Sequence, residues 1–370
     1  MGHDTLRSGE TPETASVRRG RPRAARGSDY AELSRQVKQA GLLDRRPAYY
    51  AVKITLNLML FALGWVIFAL LGRSWWQLAV AAFLAVTFTQ VAFIGHDAGH
   101  RQIFASKRAN DLLGRLHGGL LVGLSYGWWV DKHNRHHAHP NQEGHDPDIA
   151  IGAIAFTESH ARARRGLGAL LARYQAYLFF PMLLLEGLSL HVASVRALLN
   201  RTHTSPRTRL AEAAMLVVHT AGYLTVLFLV LTPVQAVCFL VVQQGLFGVY
   251  MGASFAPNHK GMPIFGEDEK IDYLRRQVLT SRNVRGGRFT DFVLGGLNYQ
   301  IEHHLFPSMP RPSLRRAQAL VHAYCKQHGI SYAETSLARS YAEVIRHLHA
   351  VGVTASRRTP TKPADGMGVA

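Results

Sequence analysis

Cysteine is almost absent from this chain. Among 370 residues only Cys238 and Cys325 occur, one in an apolar run and one in a charged stretch. That excludes a disulfide-stapled secreted scaffold, thiolate zinc sites and CxxC iron–sulfur centres. Any metal must be held mainly by nitrogen and oxygen. A glycine-rich nucleotide fingerprint is also missing, as is the HPGG motif of a cytochrome-like haem segment. Negative charge is scarce: 24 Asp and Glu stand against 42 Lys and Arg, a formal net charge of +18. The excess does not mark a nucleic-acid surface, because the basic residues are not interleaved with aromatics and no nucleic-acid motif occurs. It fits a membrane protein that gathers Lys and Arg on its cytoplasmic side. Such a face contacts anionic lipid headgroups and steers an acidic redox partner.

Long uncharged runs are what the chain has instead. Residues 54–71 and 76–95 are each long enough to cross a bilayer, which takes about 20 apolar residues. A tight turn joins them, with Trp75 and Trp76 as an interfacial anchor. Residues 213–231 and 234–255 form a second pair, separated only by Thr232 and Pro233. Two further apolar stretches are interrupted: 112–130 by Arg115 and His117, and 174–190 by Pro181 and Glu186. If either crossed alone, the histidine clusters described next would be split between the two sides. Both are therefore expected to lie in the interface.

The expectation is an all-α integral membrane protein. Its four transmembrane helices form two hairpins, with interfacial helices and a cytoplasmic helical cap. The connecting turns carry almost no charge, so the termini and the histidine clusters are expected in the cytoplasm. Residues 1–28, rich in Arg, Gly, Ser and Pro, are expected to be a disordered basic tail and no signal peptide. A short amphipathic helix over 30–46 leads to the membrane. Helices are expected around 268–281, 313–327 (with Ser313 as its cap) and 336–349. Residues 29–353 then form one membrane domain, and 354–370 a second disordered tail.

Twenty histidines are more than twice the ordinary usage of about 2%. Half of them fall outside any cluster and are assigned no role; the others gather just outside the apolar runs. His96 and His100 are four apart, so on a continuing helix they face one way. His133, His136 and His137 sit at offsets zero, three and four, again one helical face. Three imidazoles this close repel when protonated, and a metal relieves that by binding them neutral. His259 follows the fourth run, beside Asn258. Gln300, His303 and His304 repeat the offsets of the second cluster with glutamine in the first place. A glutamine carbonyl can ligate weakly or hold a water on a metal, and Asn258 is a second such candidate. Eight imidazoles exceed the four to six positions of one transition metal, so two metals are expected. Imidazole alone suits iron, zinc, copper or nickel. Asp97, Asn134, Asp146, Asp148 and Glu302 are candidates to hold the outer ring nitrogens.

HDAGH from His96, HNRHH from His133 and QIEHH from Gln300, arranged around two helical hairpins, resemble the three histidine boxes of the membrane fatty acid desaturase family. The similarity covers roughly residues 50–325. Gln300 departs from the HxxHH pattern and is similar to front-end and some bacterial acyl desaturases. The resemblance implies a non-haem di-iron centre held by the box histidines and a further histidine, matched here by His259. It implies O2 as co-substrate, two external electrons and a cis double bond in a long-chain acyl group. The acyl carrier would be a lipid, coenzyme A or a carrier protein, and the electron donor a separate ferredoxin or flavin reductase. No general base is assigned. Two rivals remain at this point: a related membrane hydroxylase or ketolase, and a histidine-rich metal transporter. A transporter would place its ligands near the bilayer midplane, whereas these clusters sit at the ends of the runs.

Overall fold

The structure is a computed structural model that describes residues 28–200 and 205–355. The two expected tails lie outside the described residues, apart from Ser28, which caps the first helix, and Thr354 and Ala355 at the end of the last.

Four helices are long and apolar enough to cross a membrane: Pro47–Leu71, Gln77–Gly99, Pro206–Val230 and Pro233–His259. The first pair turns at Gly72, whose positive φ of 52° needs glycine. Trp75 and Trp76 stand 58% and 75% exposed just beyond it, as an interfacial anchor should. The second pair turns at Thr232. Its side chain accepts from the Gln235 backbone while Gln235 answers in a capping box, and Pro233 starts the helix without losing a bond. The second and fourth spans form the centre of the bundle, joined through Leu84, Phe88, Phe239 and Phe247. The first and third spans lie outside and present Met59, Leu70, Val217 and Leu229 outward, as lipid-facing walls do.

Both central spans run about one turn past the apolar segments that mark them in the sequence. The second continues to Gly99 and the fourth to His259, through Pro257. The helical backbone thus carries its histidines directly.

The two interrupted stretches are not single helices. Residues 112–130 split into the end of an α-helix Lys107–Gly114, a π-helical stretch Arg115–Leu121, and the start of a helix Tyr126–Ala138. Gly123, at φ 82°, makes the turn. Residues 174–190 span the end of Gly166–Leu183 and the start of Glu186–Leu199, which meet at 85°. Pro181 in the last turn of the former removes a helical bond where the bend begins.

On the histidine side several shorter helices share a second core. Helices Asp29–Gln39, Gln300–Leu305 and Arg311–Gln327 close around Leu33, Val37, Ile301, Leu314 and Val321. The Tyr30 hydroxyl donates to the Leu305 carbonyl at 3.0 Å, tying the first helix to the third histidine box. The expected helix over 30–46 is shorter because Gly41, at φ 63°, ends it. Ser313 is not a cap. Pro312 lets the helix start at Arg311, so Ser313 falls inside the first turn. Tyr273–Leu279 and Leu337–Thr354 are also helical, the latter capped by Ser336. A short parallel pair, Asn283–Arg285 with Glu334–Ser336, had no signal in the sequence.

Candidate metal centre

Four separate elements deliver the histidines to one place. The second span brings His96 and its C-terminal flank brings His100; helix Tyr126–Ala138 brings His133, His136 and His137. The fourth span ends in His259, and helix Gln300–Leu305 brings His303 and His304. All eight sequence candidates meet, and seven of them divide into two groups. His96, His100, His133 and His303 have ligand nitrogens within 4.8 Å of one another, and so do His136, His259 and His304. His137 lies between the groups. Its Nε2 is 3.1 Å from that of His133, and its ring stacks on His304 at 4.1 Å.

Several of the inward nitrogens have no hydrogen-bond partner, and others face one another. Nε2 of His96, His100, His303 and His304 is buried without any partner. Nε2 of His136 and His259 face each other at 3.3 Å. Two nitrogens about 2.1 Å from one ion and at right angles are ~3 Å apart. An unpaired buried imidazole nitrogen costs free energy that a bound cation would offset. The residues present therefore fit two metal ions.

The opposite ring nitrogens are held by the protein, which fixes each imidazole's direction. Both Asp146 oxygens lie 3.0 Å from His136 Nδ1, and Asp148 is at 3.5 Å. His96 Nδ1 meets Asp97 at 3.3 Å, and Asp97 is itself paired with buried Arg311 at 2.7 Å. His259 Nδ1 faces the Thr280 carbonyl at 3.0 Å, and His304 Nδ1 the Gln277 side chain at 3.0 Å. Trp129 stacks on His133 at 4.5 Å. Burial and neighbouring histidines hold His100, His133, His137, His303 and His304 well below the usual imidazole value, which favours the neutral form that binds metal. Burial also pulls His136 down, but Asp146 and Asp148 outweigh it and its pKa is raised.

Two sequence candidates stand elsewhere. Asn134 is exposed, on the far side of its helix. Glu302 is buried, but its oxygens accept from Asn283 at 2.7 Å and Tyr332 at 2.8 Å, not from a histidine. Gln300 is at the second group: its Nε2 is 2.9 Å from His259 Nε2, and its Oε1 accepts from Asn258 at 3.3 Å. A half-turn of the amide would bring Oε1 to the same point. Sequence reasoning did not find Thr280, Gln277 or Arg311. Their contacts come from segments whose position beside the boxes no local pattern encodes.

One side of the histidine cluster opens on a cavity of about 250 Å³. Its walls are mostly apolar: Phe93 of the second span, Met251 and Phe255 of the fourth, and Phe179 and Leu183 of the bent pair. His96, His133, His136, His259 and Gln300 face into it. A mostly apolar cavity that opens on the histidine cluster suits a hydrocarbon chain.

The "Fatty acid desaturase" family profile matches residues 73–336, most of the chain and all of the boxes. The chain belongs to the fatty acid desaturase family. Relatives include an acyl-lipid (9-3)-desaturase of Physcomitrium patens, 28% identical over 90% of this chain and 64% of its own. A Delta(8)-fatty-acid desaturase of Euglena gracilis is 30% identical over 82% of this chain and 74% of its own. A Delta(6)-fatty-acid desaturase of Caenorhabditis elegans is 30% identical over 86% and 74%. The chain thus spans just under two thirds of the moss protein and about three quarters of the other two. The family is iron-dependent, and its substrates are fatty acyl groups. With four candidate spans, this desaturase is a membrane protein.

Proposed function

We propose that this desaturase introduces a cis double bond into a long-chain acyl group, using O2 and a pair of irons held by the eight histidines. The observation that carries the reading is the pair of imidazole groups, with unpartnered nitrogens, opening on one apolar cavity. His96, His100, His133 and His303 would hold one iron. His136, His259 and His304 would hold the other, with Gln300 filling or guarding a further position and His137 completing one of the two shells. When bound, the irons supply the oxidising power, with O2 and two electrons, that an unactivated C–H bond requires.

The chain's own residues do the rest. Asp97, Asp146 and Asp148 aim the rings, and Asn258 steadies Gln300. The apolar walls bind the acyl chain, exclude water and fix which carbons face the histidines. No side chain is needed as a general base, because the hydrogens removed are not acidic. The relatives named for Delta(5), Delta(6) and Delta(8) positions support attack toward the carboxyl end of the chain. We place the termini and the boxes in the cytoplasm, and the electron donor on a separate ferredoxin or flavin reductase chain. The basic surface suits an acidic carrier. Full turnover without added reductase would refute the separate donor.

The test is expression of the chain in a host lacking the activity, with the double bond located in its lipids by mass spectrometry. A new alkene at one fixed position is expected. An alcohol, a gain of one oxygen instead of the loss of two hydrogens, would point to the hydroxylase rival.

A further inference from the structure

The acyl cavity is not apolar throughout. Lys132, Asp148, Glu186 and Lys260 line it beside the histidines. Lys132 Nζ binds an Asp148 carboxylate oxygen, and Lys260 Nζ donates to the Asp148 backbone carbonyl at 2.9 Å. Lys260 also lies over the Phe156 ring at 4.0 Å. Asp148 reaches His136 Nδ1 at 3.5 Å, so the group is one residue removed from the candidate metal ligands. The side chains of Lys132 and Asp148 keep 34% and 31% exposure although they line this cavity.

An ammonium has three N–H donors. The hydrogen bonds above use one donor on each lysine, and Lys260 also faces the Phe156 ring, so each ammonium has a further N–H to offer in the cavity. Charged groups in such a cavity are costly unless something polar meets them. Two cations and two carboxylates nearly cancel, which suits a neutral dipole better than a phosphate or a free carboxylate. An acyl chain carries one such dipole at its head, several carbons from a Delta(5) to Delta(8) position: the ester or thioester carbonyl.

We propose that Lys132 and Lys260 form the subsite that receives the acyl carbonyl of the substrate, with Asp148 and Glu186 balancing their charge. This rests on the acyl reading of the cavity. It makes the two lysines determinants of where the chain is gripped; a lipid ester and a coenzyme A thioester both carry such a carbonyl.

The test compares three probes on the full-length, detergent-solubilised protein by equilibrium binding. They are a stearoyl lysophospholipid, its ether-linked analogue with the same headgroup but no carbonyl, and stearoyl coenzyme A. The ester should bind at least about tenfold tighter than the ether, the scale of one hydrogen bond from a charged donor. In a Lys132→Met, Lys260→Met double variant the ester-to-ether affinity ratio should fall to about one. Stearoyl coenzyme A losing affinity in the same variant would assign the thioester to this subsite too; its retention there would restrict the subsite to esters. Equal binding of ester and ether to the wild type would overturn the proposal, and so would an ester preference that survives the double substitution. If the double variant does not fold, the wild-type comparison decides alone. The two readings fail differently. Product without ester preference sinks the subsite and leaves the desaturase, whereas ester preference without any oxidised product sinks the desaturase and leaves the subsite.

Discussion

At the scale of single residues, the site is a matter of helical faces. Gln300, His303 and His304 share one face of a short helix, as do His133, His136 and His137 on theirs, because offsets of three and four return to the same side. The same geometry explains the two misplaced candidates. Asn134 and Glu302 lie within the boxes, but at offsets that point them away from the histidines. Replacing His303 or His136 with Ala should abolish product and lower iron per chain while the protein still inserts in the membrane; retained activity in both would remove them from the metal site. Asp146→Asn keeps the shape but weakens the contact to His136 Nδ1. Metal affinity should fall about 10- to 100-fold, measured by competition with a chelator. Gln300→His adds an imidazole next to His259. If the amide only occupies space there, activity should survive; total loss would show that the amide itself is required.

At the scale of elements, the helix Tyr126–Ala138 carries three of the eight histidines, so its placement matters most. Its N-terminus is pinned by Glu212 of the third span, buried and accepting from the Ser125 hydroxyl at 2.6 Å and the Gly127 backbone at 3.1 Å. A carboxylate at a helix N-terminus is favourable both as a cap and against the helix dipole. Arg115 approaches it at 3.8 Å. Glu212→Ala should cost about 2–3 kcal/mol of local stability and lower iron content, read by elemental analysis, with Glu212→Gln retaining part of both. Unchanged iron in Glu212→Ala would show that the helix is held in place by packing alone. The sequence displayed Glu212 only as a charge near the start of an apolar run. Its partner lies 85 residues away, and no periodicity links them. The broken stretches were hidden for a related reason. Residues 112–130 and 174–190 are apolar enough for helices, but the π-helical turn and the bend at Leu184 come from packing and from Pro181.

At the scale of the whole molecule, the four apolar runs, their turns and the box spacing were enough to read a membrane helix bundle ending in a histidine cluster. What they left open was the division of labour: which histidines pair, that Gln300 sits with His259, and that charge lines the cavity. Those depend on how four distant segments meet. On the proposed reading, the eight histidines hold iron that oxidises an acyl chain. The most direct measurement strips metal from the purified full-length protein with a chelator and restores ferrous iron or zinc. Product is then assayed with O2, a reductase system and an acyl substrate. The stripped protein should form no alkene, ferrous iron should restore it, and zinc should not. Alkene formation by the stripped protein, or equal recovery with zinc, would contradict that reading.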